Sequence, residues 1–400
     1  MKITMIVTNA YEPDIRVHKE AKELVEKGHE VHVLCWDRES IYPDKALQTL
    51  DGVTIQRFYP MAKYGTGLKQ VKGLLSFIRL TRKTLKELGS DVIHAHDLDG
   101  LITAYLGRFW FFPKRNRPQL VYDSHEFELG RNTGSQRSKL LTRSIFMIER
   151  FLIKRCAFSI MVSDSIADEV KRIYKLKERP IVVRNIPPNW TLDATVIQAQ
   201  RAAYYERLKL SQDTGFILMY HGFITIGRGV ETLIRLMSKT TSMGLVILGF
   251  GQEAYLKELK ALAEAEGVKD KILFEEAVPQ ETLWRYVGAV DVGMITIPDD
   301  AKSVYYMLPN KLFENIQSKT PLIVSDFPDI KRIVEGYDIG VCVDPRNEGA
   351  ILKALSHMKE DKEAYTRYKT NLIKAKAELN WENEQKVLFE AYKSLSGVKI

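Results

Sequence analysis

Short apolar runs alternate with longer amphipathic stretches along most of the chain, and this alternation restricts the possible folds most strongly. Residues 2–8 (KITMIVT) read as a strand. Residues 14–27 (DIRVHKEAKELVEK) read as a helix with Val17, Ala21, Leu24 and Val25 on one face. Gly28 stops that helix before a second strand, EVHVLCW. The unit recurs. VIHAH (92–96) precedes LDGLITAYLGRF, QLVYDSH (119–125) precedes a helix near 138–156, and FSIMVS (158–163) precedes DSIADEVKRIY. PIVVRN (180–185) closes the series. Such alternation predicts a parallel sheet covered by helices on both faces.

The pattern breaks at Pro187 and Pro188, and the polar stretch 189–214 reads as a connection between domains. A second series starts at GFILMYHG (215–222). It continues through GLVILGFG (244–251), KILFEEAV (271–278), VDVGMIT (290–296), TPLIVSD (320–326) and GVCVD (340–344). The stretch 361–396 is helical and charged. A chain of 400 residues is too long for one ordinary core. The expected fold is therefore α/β: two facing, Rossmann-like, doubly wound domains with a deep cleft between them. The expected parts are a first domain over 1–190, a second domain over 191–375, and a last helix in 376–400 packing back towards the N-terminal domain. Ligands of such sheets bind at the carboxyl ends of the strands, so the cleft is the expected site.

Several function classes are disfavoured. No apolar run reaches the roughly 20 residues of a membrane span, and the first residues form a strand rather than a signal-peptide pattern. Cys35, Cys156 and Cys342 lie far apart and show no metal or redox spacing, which fits reduced thiols in a cytoplasm. The sequence has no GxGxxG after its first strand, no GxxxxGK[ST], no HExxH and no GxSxG. A standard dinucleotide site, a P-loop, a zinc protease and a hydrolase elbow are thereby disfavoured. A formal net charge of +8 favours anionic partners.

Three strand ends of the second half carry candidate chemistry. In HGFITIGRGVETLI (221–234), Gly222, Gly227 and Gly229 surround Arg228 just before a helix. A glycine turn there brings backbone N–H groups, and Arg228 a guanidinium, against a phosphate. In GFGQE (249–253), Gly249 and Gly251 allow close approach of a ligand. In MLPNKLFE (307–314), Pro309 suits a first helical turn whose free N–H groups and dipole favour an anion. Glu314, two turns in, is placed to accept hydrogen bonds from sugar hydroxyls.

Taken in order, these segments resemble the nucleotide-sugar-binding half of retaining GT-B glycosyltransferases of family 4 (glycosyl transferases group 1). HGFITIGRG resembles the family's phosphate loop, LVILGFGQE its glycine strand end, VPQETLWRYVGAVDVGMI its base-binding segment, and SVYYMLPNKLFENIQSKTPLIVSD its E-x7-E region. DIRVHKEAKELVEKGHEVHVL, DVIHAHDLDG and LVYDSHE resemble its first half, so the likeness covers nearly the whole chain. The resemblance implies a donor of UDP or GDP type, a hydroxyl acceptor and no metal. It implies that Arg228 is the phosphate-binding cation and that Glu314 binds the ribose. Backbone N–H groups of Met307, Leu308, Pro309 and Asn310 would face sugar and diphosphate. Gly222, Gly249, Gly251 and Val278 would line the nucleotide site, and His125 would lie near the donor sugar and acceptor.

This sequence departs from the family pattern at defined places. Tyr306 stands where the first glutamate of E-x7-E belongs. Phe223 replaces the loop arginine, with Lys311 as a substitute cation. Asn9 and Ala10 replace a glycine pair. Positive charge from Arg228, Lys311 and helix N–H groups would stabilise the leaving diphosphate, whose oxygen takes the acceptor proton on the same face. On the acceptor side the candidates are Asn9, Glu12, Arg16, His96 and Asp97, with His94 beside them. Asp123 and Glu126 read as structural.

A basic, aromatic segment, GRFWFFPKRNRP (107–118), and the basic amphipathic stretch 137–155 are compatible with an anionic membrane surface. A lipid-linked glycan acceptor, in cell-surface polysaccharide or glycolipid assembly, fits that surface. The expected location is cytoplasmic and peripheral on the inner face of the cell membrane. The competing readings are a nucleotide-sugar epimerase of the same fold and a non-catalytic nucleotide-sugar-binding protein. Nucleic-acid binding is disfavoured, since the strand-end pattern offers no coherent basic face.

Overall fold

The computed structural model of the protein describes residues 1–12, 14–62, 68–111, 117–130 and 138–395. It divides into two compact units, Met1–Arg184 with Gln385–Ile400, and Asn185–Glu384. In the basic aromatic segment, residues 112–116 lie outside the described residues, as does Arg137.

The first unit is built on an eight-stranded sheet. Its strands are β1 (Lys2–Val7), β2 (Glu30–Trp36), β3 (Leu47–Leu50), β4 (Val53–Phe58), β5 (Val92–His96), β6 (Gln119–Ser124), β7 (Phe158–Met161) and β8 (Ile181–Val182). They lie in the order β3-β4-β2-β1-β5-β6-β7-β8. All neighbours are parallel except β3 and β4. β5 is buried along its whole length, and β1 everywhere but Lys2, as a parallel strand covered on both faces must be. The first helix, Ile15–Glu26, starts where the Asp14 carboxylate accepts from the Val17 N–H at 3.1 Å. It buries Val17, Ala21 and Leu24, together with the charged Arg16 and Glu20.

The second unit holds β9 (Phe216–Ile224), β10 (Met243–Gly251), β11 (Ile272–Glu276), β12 (Val292–Ile295), β13 (Leu322–Ser325) and β14 (Gly340–Val343). They form a parallel sheet in the order β11-β10-β9-β12-β13-β14. One core packs Leu233, Leu259 and Leu355 against β9 and β10. Another packs Phe313, Ile330 and Leu372 against β12 and β13. The strand order reverses direction between β9 and β12, the point where open sheets of this kind bind ligands.

The sequence reading needs correction at three places. The stretch 189–214 is not a bare connection, because it contains the helix Ala194–Arg207. Asp193 caps that helix by accepting from Thr195 at 2.8 Å and Val196 at 3.2 Å. Its Tyr204 and Tyr205 pack with Met219 and Val287 in a third core cluster.

The unit boundaries fall at 184/185 and 384/385, rather than at 190/191 and 375/376. Backbone and side-chain bonds explain the shift. Trp381 N–H donates to the Pro187 carbonyl at 3.0 Å. Lys376 Nζ donates to the Trp190 carbonyl at 2.6 Å, and Gln317 Nε2 donates to that of Leu379 at 2.8 Å. The charged tail is two helices, Lys362–Glu378 and Trp381–Leu395, and the chain rejoins the first unit from Gln385 onward.

β3, β4 and the helix Leu68–Leu88 lie outside the strand–helix units that the alternation predicts. Among the described residues no helix is long and apolar enough to cross a membrane.

Candidate active site

In the first unit, the carboxyl ends of β5 and β6 gather a buried polar cluster. His96 and Asp123 are partners in the β5–β6 register. Arg16 reaches them from the first helix. Its Nε donates to Asp123 Oδ2 at 2.9 Å and its Nη2 to Oδ1 at 2.8 Å, a bidentate pair. Its Nη1 donates to the Val183 carbonyl at 2.9 Å, and Glu20 Oε1 lies 3.3 Å from Nη2. Arg16 is only 4% exposed, so it anchors Asp123 and does not present itself to an acceptor. Burial opposes its charge, but Asp123 and Glu20 outweigh burial and hold its pKa above the usual arginine range. Burial likewise works against the Asp123 carboxylate, yet Arg16 and His125 hold its pKa well below the ordinary value.

His125 sits above this pair at the end of β6. Its Nε2 lies 3.3 Å from Asp123 Oδ2 and 3.1 Å from His96 Nδ1. Its backbone N–H donates to Asp97 Oδ1 at 3.0 Å, and its Nδ1 lies 3.8 Å from Asp97 Oδ2. Asp97, the first residue of the helix Asp97–Phe111, has φ 58°, and its carboxylate turns back onto His125. Burial disfavours a charged His125, but Asp97 and Asp123 prevail and raise its pKa to about 9. The side chain, 22% exposed, is thus an imidazolium at neutral pH, able to donate to a sugar or phosphate oxygen.

Below His96, the His94 ring stacks at 4.4 Å between centroids, and His94 Nδ1 pairs with the Tyr392 hydroxyl at 2.8 Å. Burial drives the His94 pKa well down. Glu20, His94, His96 and Asp123 bring one ligand-type atom each within 4.8 Å of one another. Among the described residues, His94 Nε2, His96 Nε2 and both Glu20 oxygens make no hydrogen bond. Arg16 already places a cation against both carboxylates of this set.

Asn9 and Glu12 bond elsewhere. Asn9 closes the turn after β1, donating to Asp14 at 2.7 Å and accepting from Tyr11 N–H at 2.8 Å. Glu12 is paired with Arg57 at 2.9 Å and Lys45 at 3.3 Å.

In the second unit, the ends of β9 and β10 come so close that β10 tolerates no side chain at Gly249. A Cβ on Gly249, at φ 157°, would lie 1.9 Å from the Gly222 carbonyl oxygen. In the turn after β9, Gly229 has φ 79°, and a Cβ there would meet the Thr296 carbonyl oxygen at 2.2 Å. These constraints fix Arg228 beside the strand end. Arg228 is half-buried and makes no ion pair or hydrogen bond among the described residues.

Lys311 arrives from the helix Asn310–Gln317. Its Nζ stands 4.0 Å from the centroid of the Tyr220 ring and would be 4.0 Å from a Cβ on Gly222. It therefore lies at the strand end that lacks the loop arginine. Burial, then the Arg228 charge, lower its pKa to about 7, with Glu314 working the other way.

Glu314 is buried, and His221 Nε2 lies 2.9 Å from its Oε2. One carboxylate oxygen is thus held by a histidine that sequence reasoning did not single out.

Two details of the helix mouth differ from expectation. Pro309, at φ −75° and ψ 144°, is the residue before the helix rather than part of its first turn. Met307 N–H is already donated to the Val304 carbonyl at 3.2 Å, Pro309 has no N–H, and Leu308 packs its side chain in the core. Among the described residues the open donors of the mouth are therefore the backbone N–H groups of Leu308, Asn310 and Lys311. Tyr306 ends the short helix Lys302–Tyr305, its ring 5.5 Å from that of Tyr305. Phe223 is exposed and packs its ring 5.3 Å from that of Phe250. Val278 is half-buried against the Tyr204 core cluster, and a Cβ on Gly251 would meet the Ile224 carbonyl oxygen at 2.3 Å.

The structure thus joins His96, Asp97 and His125 in one cluster, with Arg16 behind them. It joins Gly222, Gly249, Arg228, Lys311 and Glu314 in another. Sequence reasoning missed Glu20, Tyr392 and His221, and gave Asp123 no part in the first cluster. The i, i+2 spacing of His94 and His96 on one strand was the available signal, since it sets both on one face.

Comparison with known proteins agrees with this geometry. Residues 15–185 match the family described as Glycosyltransferase Family 4, and residues 205–375 the family described as Glycosyl transferases group 1. An uncharacterised glycosyltransferase of Methanocaldococcus jannaschii is 27% identical, over 98% of this chain and 98% of its own. Sucrose-phosphate synthase of Thermosynechococcus elongatus shares the fold over 100% of both chains, with a TM-score of 0.80 at 17% identity. Anabaena HepE, solved with UDP-glucose, does so over 100% of both chains with a TM-score of 0.73 at 15% identity. With both halves matched in chain order and both sheets shared with such enzymes, the chain is a glycosyltransferase and belongs to the GT-B enzymes of family 4.

Proposed function

We propose that this glycosyltransferase is of the retaining, hexosyltransferase type. It moves a sugar from a nucleoside-diphosphate sugar of UDP or GDP type to a hydroxyl acceptor. The acceptor is a lipid-linked glycan at the inner face of the cell membrane, as in cell-surface polysaccharide or glycolipid assembly. One observation carries the donor side. Arg228 and Lys311, neither in an ion pair among the described residues, meet at the end of β9 beside a helix start, while His221 holds Glu314 on the same strand end. That is a site for a diphosphate with a ribose next to it. The HepE complex with UDP-glucose supports a uridine donor on the shared fold.

In the transfer, the bond from sugar C1 to the phosphate oxygen breaks and a bond from C1 to the acceptor oxygen forms on the same face. The acceptor proton passes to the departing phosphate oxygen. Arg228, protonated Lys311 and the Asn310 and Lys311 N–H groups hold the charge that builds on the diphosphate, so no divalent cation is required.

A thermal-shift panel of UDP-, GDP-, ADP- and dTDP-sugars tests this reading. One base raises the melting temperature, Arg228→Ala and Glu314→Ala each weaken that donor about tenfold or more, and EDTA leaves nucleotide release unchanged. No shift from any donor, or unchanged affinity in both variants, overturns it. Tyr306, in place of a sugar-binding carboxylate, favours a second reading as a donor-binding protein without turnover. Release of nucleoside diphosphate on adding an acceptor eliminates that alternative.

A further inference from the structure

The helix Lys139–Ile153 in the first unit has three distinct faces. Glu149, Leu152 and Ile153 are buried. Glu149 accepts hydrogen bonds from the hydroxyls of Tyr122 and Tyr174, so the one acidic side chain of the helix points inward. Outward, Leu140 is 76% exposed, Met147 53%, Leu141 49%, Phe151 45% and Ile148 43%. At about 100° per residue these five fall within an arc of about 120°. Lys139, Arg143, Arg150 and Lys154 fall in the adjoining arc of about 60°. Arg155, just past the end, lays its guanidinium over the Phe151 ring at 3.4 Å.

A soluble surface helix puts its apolar residues on the core and its charges outside. This one has a second apolar arc facing solvent, bordered by cations on one side. Two copies meeting antiparallel, about a two-fold axis across the helix, would set one basic flank against the other, which like-charge repulsion disfavours. A nucleic acid would use the cations and leave the apolar arc in water. An anionic bilayer satisfies both, because side chains such as Met147 and Phe151 enter the acyl boundary while the lysines and arginines stay among phosphate headgroups.

We propose that the outward face of Lys139–Ile153 is the surface by which this enzyme docks on an anionic membrane, with the helix lying in the plane of the headgroups. This deepens the reading of a lipid-linked acceptor and rests on that reading only for its purpose. The geometry of the face stands apart from the donor site.

Flotation of the full chain with phosphatidylcholine vesicles, with and without phosphatidylglycerol, tests the proposal. The protein is expected to float with the anionic vesicles, to stay down with the neutral ones, and to be released by high salt. The triple variant Leu140→Ser, Met147→Ser, Phe151→Ser is expected to lose flotation. Arg143→Ala and Lys154→Ala are each expected to weaken it about fivefold. The donor-induced thermal shift, read on the same preparations, reports that each variant is folded and its nucleotide site intact. If the parent stays down with anionic vesicles, or the folded triple variant floats as well as the parent, the proposal fails. It also fails if sedimentation shows a parent dimer that the triple variant dissolves while neither floats. Flotation as expected with no donor shift would uphold the docking face and remove the donor reading alone.

Discussion

Lys311 carries a charge set by its surroundings. Held over the Tyr220 ring beside Arg228, it titrates near 7 rather than in the usual lysine range, chiefly because of burial. A bound diphosphate supplies negative charge at about 3 Å and raises that pKa again. The sign follows. Below the empty-site pKa, Lys311 is already charged and binding takes up no proton there. Above it, binding must protonate Lys311, so donor affinity falls as pH rises through about 7, by at most tenfold per pH unit. Calorimetric dissociation constants for the donor between about pH 6 and 9 check this. Lys311→Arg, charged throughout, is expected to remove the dependence, and a flat profile in the parent would refute it.

The candidacy of Lys311 was legible in the sequence because Phe223 left a cation missing from a recognisable loop. The hold of His221 on Glu314 was not, since the two residues are 93 positions apart and only the folded β9 brings them together. Arg16 failed for a related reason. A sequence gives the type of side chain but not its burial, and an arginine 107 residues from its aspartate reads as a surface group until the helix is seated.

The helix Lys139–Ile153 is held to its sheet by an acid that prefers its proton. Burial lifts the Glu149 carboxyl to about 7, although Tyr122 and Tyr174 donate to it. A folded pKa above the unfolded one means that the contribution is complete below about pH 4.5 and is lost as pH rises through about 7. The full effect is roughly 3 kcal/mol or less. Glu149→Gln is expected to keep the contribution at both ends of that window. The urea midpoint of the variant minus that of the parent should therefore grow between about pH 5 and 8. A difference that does not change with pH would show the carboxyl to be ionised throughout.

Elements of this size were unevenly readable from sequence. β1, β5 and β9 are long or continuously buried, and their apolar runs announced them. β4 alternates buried and half-buried residues, and β3 at the sheet edge beside it is mostly exposed, so neither supplied an apolar run. The helix Ala194–Arg207 hides its two tyrosine anchors in a run of alanine, glutamine and arginine, which made a packed element look like a tether.

At the scale of the whole molecule, the two-sheet α/β architecture was legible because each strand–helix unit is local in sequence. The limits of the two units were not, because distant segments close them. The first unit is complete only with Gln385 onward, where Tyr392, buried among aromatic rings, bonds His94 from 298 residues away. Truncation after Glu384 is expected to lower or abolish the melting transition of the first unit. It should leave the donor-induced shift of Asn185–Glu384 in place. An unaltered first transition in calorimetry would show that the returning helix is dispensable.

The same return decides what happens while the chain is being made. Asn185–Glu384 is one uninterrupted length and holds all its own core residues once residue 384 has left the ribosome. The strands β1 to β8 are synthesised before that unit, yet they must wait until residue 392 has emerged before Tyr392 can cover His94. The unit whose strands are made earlier is therefore the unit that closes later. Throughout synthesis of the other half, it is the part of the nascent protein with an open face for chaperones to shield.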